Sequence, residues 1–297
     1  MLTPSQIDRY REDGYLVIEA VLDAATIECL RNVTDDFVER SRVVRASDDI
    51  YDLAPSHSAE QPQVRRIKDP VVQHPAYNAV MRSGVLLDAV EGLIGPNIRF
   101  DHSKLNMKAP GASGAAVEWH QDWAFYPHSN DDLLAVGVML DEATDDNGPL
   151  MIVPGTHRGP VFDHHHDGRF CGAIDPVAAG LDTTRAVALT APAGSISLHH
   201  VRAVHGSTAN RSDCARRLLL LSYAAVDAWP LLGARGHESI DLAEFDARIV
   251  RGAPTIEPRV APVPVRMPLP HAERDGSIFE TQRPRQGASF GEVAAGT

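Results

Sequence analysis

The sequence predicts a mainly β protein, an antiparallel sandwich or barrel with helices flanking it on the N-terminal side. Three observations carry this. Short β-type runs separated by Gly, Pro, Asn and Asp fill residues 98–225. Helix caps and helical apolar spacing mark the first 97 residues. Neither G-x-G-x-x-G nor G-x-x-x-x-G-K-[ST] occurs, so nucleotide-binding α/β folds have no support.

Taken in order, Thr3-Pro4-Ser5-Gln6 opens a helix, with Thr3 as cap, Pro4 in the first helical position and Gln6 closing a capping box. Gly14 stops it, and Tyr15 to Ile18 reads as a short strand. Asp23 caps a second helix, with Ile27, Leu30, Val33 or Thr34, and Phe37 at helical spacing. Ser47 to Gln63 is polar, carries two prolines and reads as a loop. One further helix is expected from about Ala76 to Leu93, ending before Gly95-Pro96. Strands follow at Ile98 to Met107, Leu134 to Leu140, Leu150 to Val153, Ala186 to Leu189, Ser195 to His199 and Arg217 to Ala224. The tail after Gly252 is proline-rich and expected to be extended, packed on the body or partly disordered. One domain over 1–297 is therefore expected: a helical part (1–97), a β core (98–225) and a C-terminal extension (226–297).

Composition narrows the function. With 43 % hydrophobic and 23 % charged residues the chain is ordinary for a globular protein. A net charge of −12 argues against a general nucleic-acid binder but leaves room for a local basic pocket. No apolar run approaches a membrane span, and the first residues lack the pattern of a secretory signal. Cys29, Cys171 and Cys214 are widely spaced, which fits a reducing cytoplasm and no disulfide framework. A small-molecule partner is expected.

Trp119-His120-Gln121-Asp122 is the most informative stretch. Read as a strand, it sends His120 and Asp122 to the same face. One imidazole and one carboxylate then make two thirds of a facial site for Fe(II). His205, followed by Gly206-Ser207 and a basic strand, is the preferred third ligand, with His199 and His200 as competitors. His164-His165-His166 looks like a metal cluster but reads more simply as ordinary histidines. Such an iron site commonly works with 2-oxoglutarate, whose distal carboxylate needs a buried cation, best an arginine. Arg216 and Arg217 open an apolar strand, and alternation sends one inwards and the other out. Trp119, Trp123, Phe125 and Tyr126 surround the metal motif as pocket lining or core. Asp163 to Asp167 and Phe170 to Gly172 lie in a long loop that could act as a lid.

His120-Gln121-Asp122, Asn147-Gly148-Pro149-Leu150, Val153-Pro154-Gly155-Thr156-His157 and His205-Gly206-Ser207 with Arg216 resemble, in order, the motifs of the phytanoyl-CoA dioxygenase family. The resemblance runs from the first helix to about Ala225 and implies a double-stranded β-helix (jelly roll, cupin-like) core. It implies an oxygenase that uses Fe(II), O₂ and 2-oxoglutarate to hydroxylate or otherwise oxidise a C–H bond of a small organic substrate, releasing succinate and CO₂. It implies His120, Asp122 and His205 as metal ligands and Arg216 with Ser207 at the distal carboxylate. Gln121, Arg66 and Lys104 are then expected beside the cosubstrate, Lys104 standing where methionine is usual. A family tryptophan is replaced by Gly137 or Val138, which is expected to widen that side of the pocket. Asp122 stands where related halogenases carry a small residue, so oxidation is expected and halogenation is not. Two other classes stay open: a cupin-like metalloenzyme without 2-oxoglutarate, which would not need Arg216, and a non-catalytic small-molecule-binding jelly roll, which would not need the triad.

Overall fold

The computed structural model describes residues 1–111, 116–233, 240–273 and 276–290. Residues 112–115 of the expected β core, and 234–239, 274–275 and 291–297 of the expected extension, lie outside the described residues. The strands are β1 (Tyr15–Ile18), β2 (Tyr51–Leu53), β3 (Val64–Lys68), β4 (Ile98–Lys108), β5 (Val117–His120), β6 (Leu133–Met139), β7 (Leu150–Ile152), β8 (His165–His166), β9 (Arg169–Phe170), β10 (Val187–Ala188), β11 (Ile196–His200), β12 (His205–Ser207), β13 (Arg216–Ala225) and β14 (Ile249–Arg251). The α-helices are α1 (Pro4–Asp13), α2 (Ala24–Arg40), α3 (Pro70–Gln73), α4 (Pro75–Met81), α5 (Gly84–Ile94), α6 (Leu242–Asp246) and α7 (Ile278–Thr281).

All strands but β8 and β9, which pair as a separate hairpin, form the two antiparallel sheets of a jelly roll. The larger sheet has eight strands in the order β1-β11-β6-β13-β4-β3-β2, with β14 also on β4. The smaller has the order β10-β7-β12-β5. Alternation along β13 explains the layering. Leu219, Leu221 and Tyr223 face outwards into a core shared with Ile27, Leu30 and Phe37 of α2 and Leu86 and Val90 of α5. Leu218 and Leu220 face inwards and pack on Ile152 and Ala203 of the small-sheet side.

The helix signals act as read. Thr3 and Gln6 complete the capping box of α1, and the Asp23 side chain accepts from the Thr26 amide to start α2. The inward position left open on α2 belongs to Thr34, whose hydroxyl meets Tyr77 at 2.8 Å. Two expectations need correction. The single helix from 76 to 93 is broken at Ser83, whose extended backbone separates α4 from α5. The polar loop 47–63 contains β2, which pairs with β3 and lengthens the large sheet. A three-residue strand is too short for its alternation to be read.

Candidate active site

His120 and His205 are register partners on adjacent strands, β5 and β12 of the small sheet. Their ring centroids lie 4.1 Å apart. β5 ends at His120 and the chain turns into a short 3-10 segment, yet Asp122 still returns to the same face. His120 Nε2 is 4.0 Å from Asp122 Oδ1, and His205 Nε2 is 4.0 Å from Asp122 Oδ2. The three donor atoms fall within 4.8 Å of one another, and all three side chains are buried. Each imidazole is oriented by a carbonyl two residues back: His120 Nδ1 donates to Glu118 O at 2.8 Å, and His205 Nδ1 to Ala203 O at 3.0 Å. A carbonyl only accepts, so the proton sits on Nδ1 and both Nε2 lone pairs face Asp122. Burial lowers the pKa of His120 to about 4 and pushes His205 well down, which keeps both rings neutral at neutral pH. Burial pushes Asp122 the other way, but Lys104, His199 and the two other histidines outweigh it and hold the carboxylate ionised. Two neutral imidazoles and one carboxylate converging on a point fit a divalent iron.

The competing histidines stand aside. His199 reaches Asp122 Oδ2 with its Nε2 at 3.7 Å but lies outside the group of three converging donors. His200 accepts from the Arg202 amide and faces Asp131. In the histidine run, His164 accepts from the Gln121 amide at 2.9 Å and so braces the metal motif from behind. His165 is held by Asp163 and by Leu269 O, and the hairpin β8-β9 is pinned to the tail.

Two cavities open on either side of the three residues. One, of about 40 Å³, is lined by His120, His205, Ser207, Arg216, Leu218 and Leu220. Arg216 is the inward member of the arginine pair and donates to Gly148 O at 2.6 Å. Arg217 faces out, where Asp141 takes its guanidinium in a fork and Asp35 meets it at 2.7 Å. Gly148 has φ +79, and a Cβ there would lie 2.7 Å from Lys108 Cδ, so this turn needs glycine to bring its carbonyl against the arginine. The widening expected at Gly137 is not found. A Cβ at Gly137 would meet Ser197 Oγ at 2.6 Å and Leu218 Cδ1 at 3.3 Å, because those side chains close over the missing one.

The second cavity, of about 330 Å³, is lined by Arg66, Lys104, Asp122, His102, Phe125 and Tyr126, with Ser277, Ile278 and Thr281 from the tail. Arg66 and Lys104 border both cavities. Arg66 Nε donates to Asn106 Oδ1 at 2.8 Å, and Lys104 Nζ is 3.6 Å from Asp122 Oδ1.

Three expected residues are found elsewhere. The Gln121 side chain turns away from both cavities: Nε2 donates to Pro160 O and Arg202 O, and Oε1 accepts from Phe162 N. Trp119 shares that reverse face and packs with Val153, Ile174 and Phe290. Trp123 is core, with its indole N–H on Pro264 O. The alternation that joins His120 to Asp122 sends residues 119 and 121 to the opposite side. Phe125 and Tyr126 do line the larger cavity.

Sequence reading missed two contributors. Lys108 is buried beside Arg216 and donates to Ser207 Oγ at 2.7 Å. The tail, which carries no motif, returns to the site. Gln282 accepts from the Glu118 amide and donates to Gly172 O, and the Glu118 carboxylate accepts from the Gly287 and Ser289 amides. These contacts strap α7 over β5 and put Ile278 on both cavities. For Lys108 the one signal was a lysine ending a strand opposite Arg216; for Ile278 there was none.

Residues 10–218 match the family model described as phytanoyl-CoA dioxygenase (PhyH). A probable alpha-ketoglutarate-dependent hypophosphite dioxygenase of Stutzerimonas stutzeri is 39% identical over 280 residues, covering 92% of this chain and 95% of that one. An L-proline trans-4-hydroxylase of Streptomyces griseoviridis is 28% identical, covering 75% and 86%. The solved apoform of EctD from S. alaskensis superposes with a TM-score of 0.65 at 25% identity, covering 90% and 89%. No helix among the described residues is long and apolar enough to cross a membrane.

Proposed function

The chain belongs to the phytanoyl-CoA dioxygenase family, and from that premise we propose that it oxidises hypophosphite or a comparably compact anion at iron held by His120, Asp122 and His205. It is an Fe(II)- and 2-oxoglutarate-dependent dioxygenase acting on a small molecule. Bound iron and cosubstrate supply the oxidising power; the protein supplies the seats and excludes water. Arg216 and Ser207 seat the distal carboxylate of 2-oxoglutarate in the small cavity, beside the metal ligands.

The observation that carries the substrate reading is the charge of the larger cavity. Arg66 and Lys104 both reach it; Asp122 is the carboxylate acting on Lys104, and Arg66 is acted on by Asp52, already held by Arg65, and then by Asp122. Once Asp122 is committed to iron, an anion is the natural counter-charge for the pair. The 39% identity with the hypophosphite dioxygenase supports the same choice. In this reading one oxygen atom of O₂ enters a P–H bond, turning hypophosphite into phosphite. The other enters succinate as the C1 carboxylate of 2-oxoglutarate leaves as CO₂. This replaces the C–H bond expected from sequence by a P–H bond and keeps the reaction type. Three free cysteines support a cytoplasmic location.

The test is to incubate the purified protein with Fe(II), 2-oxoglutarate, O₂ and hypophosphite, and to follow succinate and the phosphorus species by NMR. Equal amounts of succinate and phosphite are expected. Succinate formation that hypophosphite does not stimulate would remove this substrate.

A further inference from the structure

Lys108 closes β4 directly opposite Arg216 on β13. The two residues are 2% and 3% exposed. Two cations side by side in the interior repel each other and call for an anion. Neither makes an ion pair among the described residues, and the nearest acidic side chain acting on Arg216, Asp141, is already forked by Arg217. Burial first, and Arg216 second, push the Lys108 pKa well below its usual value, so holding both cations charged calls for an anion beside them.

The contacts of Lys108 are specific. Its Nζ donates to Ser207 Oγ at 2.7 Å and to Thr208 O. With an anion bound and Lys108 charged, its ammonium has donors only, so Ser207 Oγ accepts and its own proton goes to a different acceptor. Ser207 borders the 40 Å³ cavity with Arg216, and no protein acceptor for that proton is found among the described residues. The proton therefore turns into the cavity.

We propose that Lys108 is a positioning residue for the cosubstrate: it locks the Ser207 hydroxyl as a donor aimed at the distal carboxylate and adds a second positive charge behind Arg216. The consequence is selectivity. The seat discriminates a 2-oxo acid with a distal carboxylate from one without it, because an unfilled seat leaves two buried cations and one hydroxyl proton uncompensated. The inference rests on the cosubstrate reading given above.

The experiment is anaerobic titration of the Fe(II)-loaded protein with 2-oxoglutarate and with 2-oxopentanoate, which lacks the distal carboxylate. Binding is read by calorimetry and by the visible charge-transfer band of the metal-bound keto acid. Lys108→Met is expected to weaken 2-oxoglutarate by about ten- to a hundredfold, the scale of one charge-assisted hydrogen bond, while 2-oxopentanoate and iron affinity change little. Lys108→Arg should recover part of the loss. Because Lys108 acts through Ser207, Lys108→Met combined with Ser207→Ala should cost less than the product of the single effects. Equal weakening of both keto acids, or no weakening of 2-oxoglutarate, overturns the proposal. If Lys108→Met does not fold, Ser207→Ala alone decides: it must weaken 2-oxoglutarate selectively, and a non-selective loss is again fatal. Arg216→Ala is the control on the premise. If it leaves 2-oxoglutarate binding intact, the cosubstrate seat itself is misplaced.

Discussion

The two cavities beside the triad are built differently. The small one is lined, apart from Ile278, from regular strands: β5 supplies His120, β12 His205 and Ser207, and β13 Arg216, Leu218 and Leu220. The ladders of two sheets set every one of these positions, so the cavity is tight. The larger one draws Phe125 and Tyr126 from the turn after the metal motif and Ser277, Ile278 and Thr281 from the tail. Its cationic wall, Arg66 and Lys104, lies with His102 on strands β3 and β4. A seat made of strand positions suits a cosubstrate that does not change. A wall made of turns and tail can be altered without disturbing the sheets, and it is where substrate choice belongs.

The largest effect expected lies between the cavities. His120→Ala or His205→Ala should abolish iron binding and turnover together, read by metal analysis, whereas His199→Ala should keep its iron. Loss of iron at His199 and not at His205 would move the third ligand and break the geometry on which the comparison rests.

Next comes the small cavity. Removing one partner of a buried charge pair costs about 3–5 kcal/mol, and a factor of ten is about 1.4 kcal/mol. Arg216→Ala should thus weaken 2-oxoglutarate by roughly two to three orders of magnitude. Arg217→Ala, which loses only the outward contacts to Asp141 and Asp35, should alter it by about threefold or less. Equal losses would mean that the closed seat does not select between the faces of β13.

The cationic wall of the larger cavity should respond less. Lys104→Met and Arg66→Met are expected to raise the KM for an anionic substrate about tenfold or more. If Arg66→Met weakens 2-oxoglutarate and spares the substrate, Arg66 belongs to the cosubstrate and the division between the cavities shifts by one residue. The smallest change concerns the tail. Ile278→Ala should improve kcat/KM for methylphosphinate relative to hypophosphite by about tenfold or less, the worth of space for one methyl group. No change would exclude Ile278 from the substrate wall.

Legibility followed periodicity and spacing. Thr3 with Gln6 and Asp23 announced their helices because capping is local. His120 and Asp122 announced a shared face because two residues is the strand repeat. The same rule, applied to Trp119 and Gln121, would have placed them on the far side, where their partners hold them. Resemblance and proximity in sequence pointed instead to the site. The short strand β2 was illegible because it depends on β3 brought in by the fold, whereas the break at Ser83-Gly84 is a local signal that the apolar spacing of 76–93 overrode in the reading.

By itself the sequence determined an antiparallel sandwich or barrel, the helical flank, the His120–Asp122 pair and the need for one inward arginine at the head of β13, since these follow from alternation and local capping; the jelly roll came from the family resemblance. The tertiary structure brings His205 and not His199 into the group of three converging donors, turns Arg216 and not Arg217 inwards, joins Lys108 to Ser207 and returns Ile278 to the cavities. Each of those depends on which strands pair and in what register, and register is set by contacts between residues some hundred positions apart that no local pattern encodes.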